Sequence, residues 1–217
     1  MDRPGRVDVV FVVALCLLTG VIGHKHRPRG GDDSFNAADV GFLRDMTTHH
    51  DSAIGLGFDY LGREHDALVG HFAREIVMAQ SQEVAVMNSL ASRANEPETM
   101  GADVAMDWMG MAMPPGQMPG MPTWAESAQL RRTGIAADDL FTSLMIHHHA
   151  GGVAMAEYAA KHGENAAVRN LARSMARVQR GEIIEMNNHR ATLGLPAIDV
   201  TDEMTATGHA AMNHGSS

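Results

Sequence analysis

The chain has 217 residues, of which 45% are hydrophobic and 20% are charged, and its formal net charge is −9. This apolar fraction can fill one substantial core and excludes disorder over most of the chain, while the negative charge argues against a nucleic-acid partner. A single cysteine excludes disulfide-stapled scaffolds and cysteine-based zinc ribbons, whereas 17 methionines and 13 histidines make these two residue types the functional candidates.

The first 30 residues form an N-terminal segment unlike the rest of the chain. An uncharged run of 15 residues, 9–23, is followed directly by Lys25, Arg27 and Arg29. This pattern is typical of a signal peptide or a short membrane anchor, although a membrane-spanning helix needs roughly 20 apolar residues. We expect residues 1–30 to direct export from the cytoplasm, either as a cleaved signal or as a retained anchor, and to be the only contact with a membrane.

An internal repeat with an offset of 99 residues organises the remaining chain. The two repeats span about 36–94 and 138–193, and the motif Met-x-x-His-His occurs at 46–50 and again at 145–149. The same offset aligns a glutamine, a glutamate and a methionine in each repeat, without a gap: Gln80, Glu83 and Met87 match Gln179, Glu182 and Met186. The chain therefore contains two homologous halves.

Each repeat predicts a helical hairpin. We expect helices over about 36–63, 66–94, 138–161 and 164–193. Asparagine and aspartate near the predicted starts can accept hydrogen bonds from free backbone N–H groups, and no alternation of apolar and polar residues indicates a strand. Two hairpins bury their apolar faces against each other, so the sequence predicts an all-α fold, with a four-helix bundle over residues 31–196.

Two segments lie outside the predicted helices. Residues 97–123 form a methionine-rich crossover loop, in which prolines exclude a long helix. Clustered thioethers favour soft ions such as Cu(I) and Ag(I), so the loop is a candidate for a second, exposed capture point; the alternative is flexible gap-filling or a hydrophobic groove. The candidate loop ligands are Met106, Met109, Met111, Met113, Met118 and Met121. Residues 197–217 form a flexible tail, in which His209, Met212 and His214 are a weaker candidate site.

Helical periodicity places the repeated histidines within the apolar stripes of their helices. His49 and His50 fall on either side of the central line of the first helix, and the second copy repeats this arrangement, whereas His147 points outward. Glu83 and Glu182 lie in the stripes of the second and fourth helices. Because a buried carboxylate needs a partner, we expect both glutamates to accept hydrogen bonds from the facing imidazoles. The remaining histidines are expected at the surface or in turns: His65, His71, His162 and His189.

This layer of side chains predicts a metal site. Imidazole suits copper, zinc, iron and nickel, thioether sulfur selects soft ions, and the glutamates can orient the histidines. The alternative is a satisfied buried polar network with methionine as ordinary core filler. The candidate metal-site residues are Met46, His49, His50, Glu83, Met87, Met145, His148, His149, Glu182 and Met186.

With both Met-x-x-His-His motifs in view, the chain resembles the DUF305 family over roughly residues 34–193. The resemblance implies a ferritin-like four-helix bundle, export, and the copper binding and copper resistance of some periplasmic members. The family's motif positions correspond here to Met46, His49, His50, Met145, His148 and His149. The second copy departs from the two-histidine form because His147 precedes the pair, and the repeat offset selects the later two.

The favoured function is an exported, non-enzymatic protein that sequesters or delivers copper as Cu(I), with Ag(I) as a second soft ion and with zinc or iron still open. No nucleophile–base pair or phosphate-binding loop indicates catalysis. One alternative is a ferritin-like dinuclear metal oxidase, but such enzymes carry Glu-x-x-His motifs and Met46 and Met145 occupy the glutamate positions here. The other alternative is a metal-free structural or interaction bundle. A protein partner and the oligomeric state are not specified by the sequence.

Overall fold

The computed structural model describes residues 34–62, 65–96, 102–132 and 137–205. The N-terminal segment 1–30 and the tail candidates His209, Met212 and His214 lie outside the described residues, and the expectations for them stay predictions. Within the described ranges, no helix combines the length and the apolar character that a membrane crossing requires.

The described residues form an all-α structure. In chain order the helices are α1 (Ala37–Leu61), α2 (Ala67–Arg93), α3 (Trp124–Arg132), α4 (Ala137–His162), α5 (Ala166–Thr192) and α6 (Thr201–Thr205). Two short 3-10 turns, Asp107–Met109 and Pro115–Gln117, lie between α2 and α3. The described ranges contain no strand, and one isolated β-bridge joins Ala105 to Met113.

The four long helices form the two predicted hairpins. α1 packs along α2, α4 packs along α5, and α1 also contacts α4. Their bounds agree with the predicted bounds to within two residues, because side-chain caps fix the starts. Asn36 and Asp39 form a reciprocal capping box before α1, while Asp66 and Asn165 cap α2 and α5. The sequence did not predict α3 or α6.

Two aspartates related by the repeat connect the hairpins. Asp39, buried near the start of α1, accepts a hydrogen bond from the backbone N–H of Asn165 at 3.0 Å, just before α5. Its counterpart Asp138, near the start of α4, accepts hydrogen bonds from the backbone N–H of Asp66 at 3.1 Å and from the Tyr60 hydroxyl. Each hairpin therefore holds the turn of the other hairpin.

The methionine-rich loop is anchored on α1 through a buried carboxylate. Asp45 is 2% exposed and accepts hydrogen bonds from the Met106 backbone N–H at 2.7 Å and from the Trp108 indole N–H at 2.8 Å. The same carboxylate forms an ion pair with Arg44 at 2.7 Å. Trp108 lies directly on Gly41, where an added Cβ would overlap the indole ring. The loop is thus part of the folded structure.

The end of the loop docks on α4. A Cβ added at Gly151 would lie 2.0 Å from the Pro119 carbonyl oxygen, so only glycine lets the loop backbone approach this closely. Gly120 follows with a φ of +77°, a conformation that glycine adopts without steric cost. The loop therefore contacts both hairpins, through α1 at one end and α4 at the other.

The start of the predicted flexible tail is folded. Residues 197–205 pack along the long helices instead: Val200 is buried, and the Asn187 side chain donates to the Ile198 carbonyl at 2.9 Å and accepts from the Ile198 N–H at 2.8 Å. Glu203 in α6 then accepts a hydrogen bond from His147 at 2.9 Å. The sequence did not predict these contacts, because bonds between an asparagine side chain and backbone groups leave no periodic sequence signal.

Candidate metal centre

The structure buries all four repeated histidines completely. His49 and His50 lie on α1, and His148 and His149 lie on α4. The rings of His49 and His148 face each other, with 3.8 Å between their centroids and 32° between their planes. His147 lies on the outer face, as predicted, with 42% of its side chain exposed. The structure therefore brings the two motif copies together where α1 packs on α4.

The two predicted histidine–glutamate hydrogen bonds are present. His50 Nε2 lies 2.7 Å from Glu83 Oε2, and His149 Nε2 lies 2.7 Å from Glu182 Oε2. Each glutamate is only partly buried, with its side chain 25% exposed, whereas each histidine has no exposed side-chain surface. Each carboxylate thus reaches inward from near the surface and fixes the orientation of one imidazole.

The other two histidines donate to backbone carbonyls, which the sequence analysis did not predict. His148 Nε2 lies 2.9 Å from the backbone oxygen of His49, and His49 Nε2 lies 3.0 Å from the backbone oxygen of Pro119. A carbonyl oxygen can only accept a hydrogen bond, so Nε2 carries the proton in both rings. The loop therefore supplies one acceptor of the histidine layer.

All four Nδ1 atoms lack a hydrogen-bond partner within the part of the chain that the structure describes. Burial lowers the pKa of His49 to about 3, and burial together with the neighbouring histidines lowers the pKa of His148 well below its usual range. These two rings are therefore neutral at pH 7, with a proton on Nε2 and a lone pair on Nδ1. Because buried polar atoms are normally paired, unpaired Nδ1 atoms at four neighbouring rings point to a ligand.

The four candidate methionines of the helices are fully buried as well. Met46 and Met145 precede their histidine pairs by about one helical turn, and Met87 and Met186 follow Glu83 and Glu182 by about one turn. Met46 and Met87 belong to the hydrophobic core. This burial is compatible both with core filling and with ion binding. The thioethers add a soft type of donor to the layer, but their burial does not distinguish the two roles.

The donor set limits the kind of ion that fits. Across the described ranges, no group of three or more His, Cys, Asp or Glu side chains is arranged to hold a metal ion, so a closed four-ligand zinc site is not preformed there. The glutamates already accept from imidazole N–H groups. The donors left over include the Nδ1 lone pairs and the thioether sulfurs, which suit a soft ion such as Cu(I).

The loop methionines face the core, so the expectation of an exposed capture point was wrong. Met106, Met109 and Met118 are buried, and they pack with the core methionines of the helices. The remaining candidates are partly buried against the same core, namely Met111, Met113 and Met121. Trp108 and the backbone contacts of the loop produce this burial, and neither is visible in the composition of the segment.

The surface or turn position predicted for His189 is wrong. His189 was expected at the surface or in a turn, but its side chain is only 12% exposed, and its Nε2 lies 2.9 Å from Asp66 Oδ1 in the cap of α2. His71 and His162 lie at the surface as expected, His71 with its side chain 40% exposed. None of these three histidines belongs to the buried layer of the motif histidines.

Sequence analysis missed the importance of two glutamines. The repeat alignment matched Gln80 with Gln179 but assigned them no role. Each is 3% exposed, and both amide atoms of each side chain lack a partner among the described residues. The Gln179 amide lies against Gly152 of α4, where an added Cβ would be 2.3 Å from its oxygen. An inward polar residue that recurs at the repeat offset was the available signal.

The family model for DUF305, described as a domain of unknown function, matches residues 39–190 of the chain. The chain belongs to the DUF305 family. No protein with a curated description matches this DUF305 chain.

Solved structures of family members resemble this DUF305 chain over most of its length. A DUF305 protein from Streptomyces coelicolor, thought to be secreted, is 32% identical, with a TM-score of 0.68 over 77% of this chain and 98% of that one. A DUF305 fragment from Deinococcus radiodurans is 29% identical, with a TM-score of 0.62 over 74% of this chain and 97% of that one.

A copper-bound protein shares the fold. CopM in its Cu(II)-bound form is 24% identical, with a TM-score of 0.56 over 71% of this DUF305 chain and 97% of CopM. CopM has also been solved in Cu(I)-bound and Ag-bound forms, which are 22% identical to this chain. At this level of identity the likeness establishes a common fold.

Proposed function

We propose that this chain is an exported, non-catalytic copper-binding protein that sequesters or delivers Cu(I) through histidine and methionine side chains. The observation that carries the proposal is the set of four buried Nδ1 atoms that have no partner within the described chain. Each belongs to a ring whose Nε2 is already held by a carboxylate or a carbonyl. An ion bound at Nδ1 would meet rings whose orientation is fixed beforehand.

Copper fits the donor chemistry best. Cu(I) accepts imidazole and thioether ligands, and Ag(I) shares this preference. CopM, which has the same fold, has been solved with Cu(I), Cu(II) and Ag. Zinc and iron remain candidates through imidazole alone, whereas the buried thioethers near the histidines favour the softer ions.

The dinuclear oxidase has less support. Carboxylate-bridged dinuclear sites in ferritin-like four-helix bundles take glutamates from all four helices. Here Glu83 and Glu182 accept hydrogen bonds from His50 and His149 instead. We therefore propose binding without turnover, within a ferritin-like four-helix bundle. We also propose that residues 1–30 direct export, in line with the Streptomyces relative that is thought to be secreted.

The first test is an anaerobic titration of the full chain with Cu(I) in competition with a chromogenic chelator. We expect the wild type to compete, and a His50→Ala/His149→Ala variant to bind more weakly by at least about tenfold, because two of the four Nδ1 donors are lost. A His147→Ala variant is the matched control, since it removes a histidine from the outer face of the same helix.

Two results would contradict the proposal. One is a wild type that fails to compete for Cu(I) or Ag(I) at all. The other is a double variant that remains folded by circular dichroism and competes as well as the wild type. A Met111→Leu/Met113→Leu/Met121→Leu variant separates the loop from the buried layer, and we expect it to retain the tightest binding.

A further inference from the structure

The unpaired polar atoms in the interior extend beyond the histidines. Nine buried side-chain polar atoms in the described ranges lack a hydrogen-bond partner, and eight of them belong to the four histidines and to Gln80 and Gln179. The two glutamines occupy equivalent positions in the repeat, at the offset of 99 residues. The same unusual feature thus occurs twice, once in each hairpin.

Helix geometry places these amides beside the histidines. Gln179 lies one turn before Glu182, which holds His149. The Gln179 amide oxygen also packs against Gly152, one turn after His149 on α4. Gln80 likewise lies one turn before Glu83, and the repeat offset matches Gly152 with Ala53, one turn after His50. Each hairpin therefore carries one unpaired amide about one helical turn from the glutamate that holds its histidine.

A purely structural role does not account for these side chains. A buried amide without partners is unfavourable, and an apolar residue of similar size would fill the same space without that cost. An exposed glutamine on the same helix, such as Gln82, can form hydrogen bonds with water and carries no such cost. Two unpaired amides, each one helical turn from a glutamate that holds a motif histidine, point to a ligand shared with the histidines.

We propose that Gln80 and Gln179 supply amide oxygen ligands that allow the histidine layer to hold Cu(II) as well as Cu(I). This inference rests on the proposed function, because it assigns further ligands to the same ion site. Amide oxygen is a harder donor than thioether sulfur, and Cu(II) prefers nitrogen and oxygen whereas Cu(I) accepts nitrogen and sulfur. The glutamines and the methionines thus serve the two oxidation states separately.

The decisive experiment compares Cu(II) and Ag(I) binding in a Gln80→Leu/Gln179→Leu variant of the full chain. Ag(I) stands in for Cu(I) without changing its oxidation state. We expect Cu(II) affinity to fall by about tenfold or more, since ligand-shell changes typically have this effect, and Ag(I) affinity to stay unchanged. The electron paramagnetic resonance spectrum of bound Cu(II) should also change, as an oxygen ligand is lost. A Gln82→Leu variant is the control for a glutamine outside the site.

A second variant should change the Cu(II) affinity in the opposite direction. Gln80→Glu/Gln179→Glu keeps an oxygen donor and adds negative charge, so we expect tighter Cu(II) binding and unchanged Ag(I) binding.

The melting temperature without metal separates packing from binding, because removing unpaired buried amides should make the leucine variant more stable than the wild type.

The outcomes distinguish this inference from the proposed function. If the wild type binds Ag(I) but the leucine variant binds Cu(II) with the affinity and spectrum of the wild type, the glutamine assignment is wrong and the proposed function stands. A less stable leucine variant with wild-type Cu(II) binding leads to the same conclusion and gives the amides a structural role. A wild type that binds neither ion overturns both proposals.

Discussion

The two hairpins have equivalent interiors but different surroundings. Both place a histidine bonded to a glutamate and an unpaired glutamine at equivalent positions. The other two histidines differ: His148 donates to the carbonyl of His49, whereas His49 donates to the carbonyl of Pro119 in the loop. The repeat therefore specifies the buried layer, and the single connecting loop makes its two halves unequal.

The attachments of the loop explain this inequality. Asp45, which anchors the loop on α1, corresponds to Leu144 on α4, and Gly151, which admits the loop on α4, corresponds to Ser52 on α1. If the two hairpins were identical, each would offer the loop the same binding surface. The residues that depart from the repeat are therefore the ones that determine where the loop lies.

The largest expected effect follows from removing the loop anchor. Asp45→Ala leaves the Arg44 guanidinium, the Met106 N–H and the Trp108 indole N–H without their common acceptor. Arg44 is 19% exposed and keeps its ion pair with Asp107, so the loss comes mainly from the two N–H groups, and we expect the free energy of unfolding to fall by about 2–4 kcal/mol. Urea denaturation measures this loss.

The control for this prediction is Asp107→Asn. Asp107 also pairs with Arg44, but its side chain is 55% exposed, so the change should cost only about 0–1 kcal/mol. Equal losses in the two variants would mean that Asp45 does not anchor the loop. The equivalent position in the second hairpin is occupied by Leu144, which has no carboxylate to remove, so the comparison is confined to the first hairpin.

The next prediction concerns the pH dependence of stability, to which the buried His49 and His148 contribute with one sign and the outward-facing His147 with the other. The pKa of His148 is lowered by burial and that of His49 is lowered to about 3, so both rings stabilise the fold above pH 6.5 and lose this contribution as pH falls toward 3. For His49 the loss at pH 5 is about 2 kcal/mol. The pKa of His147 is raised by the Glu203 carboxylate, so its contribution is present below pH 6.5 and is lost as pH rises.

Denaturation of the metal-free chain at pH 7 and pH 5 tests both signs. We expect the wild type to be less stable at pH 5, and a His148→Gln variant to lose less stability between the two pH values than the wild type. A His147→Gln variant should lose slightly more. If these two variants shift the pH dependence in the same direction, the inward and outward assignments on α4 are wrong.

The smallest expected effect compares two helical glycines. In Gly151→Ala the new methyl group meets the backbone of Pro119, so the loop must move, and we expect a loss of about 1–3 kcal/mol from overpacking. In Gly55→Ala the methyl group meets nothing within 4 Å, and the higher helix propensity of alanine should add about 0.5–1 kcal/mol. Thermal denaturation of both variants is the measurement. A stabilised Gly151→Ala variant would show that the loop does not rest on α4 in solution.

The sequence predicted the parts of the fold that depend on periodicity. The four long helices and the pairing of His50 with Glu83 follow from apolar stripes and from the repeat, which are local or recurring patterns. The docking of the loop does not follow from them, because Asp45 accepts from backbone and indole groups 61 and 63 residues away. Backbone acceptors such as the Pro119 carbonyl carry no side-chain signature, so the partners of His49 and His148 were not predictable either.

The reciprocal aspartate contacts give the chain the form of a fused homodimer. Asp39 of one hairpin binds the turn of the other at Asn165, and Asp138 returns the same contact at Asp66. This reciprocity is the rule of an isologous interface between two identical subunits. The loop turns that association into an intramolecular one, which no longer depends on protein concentration. Covalent linkage also allows each copy to change independently, and His147, with Thr48 at the equivalent position, is one such change.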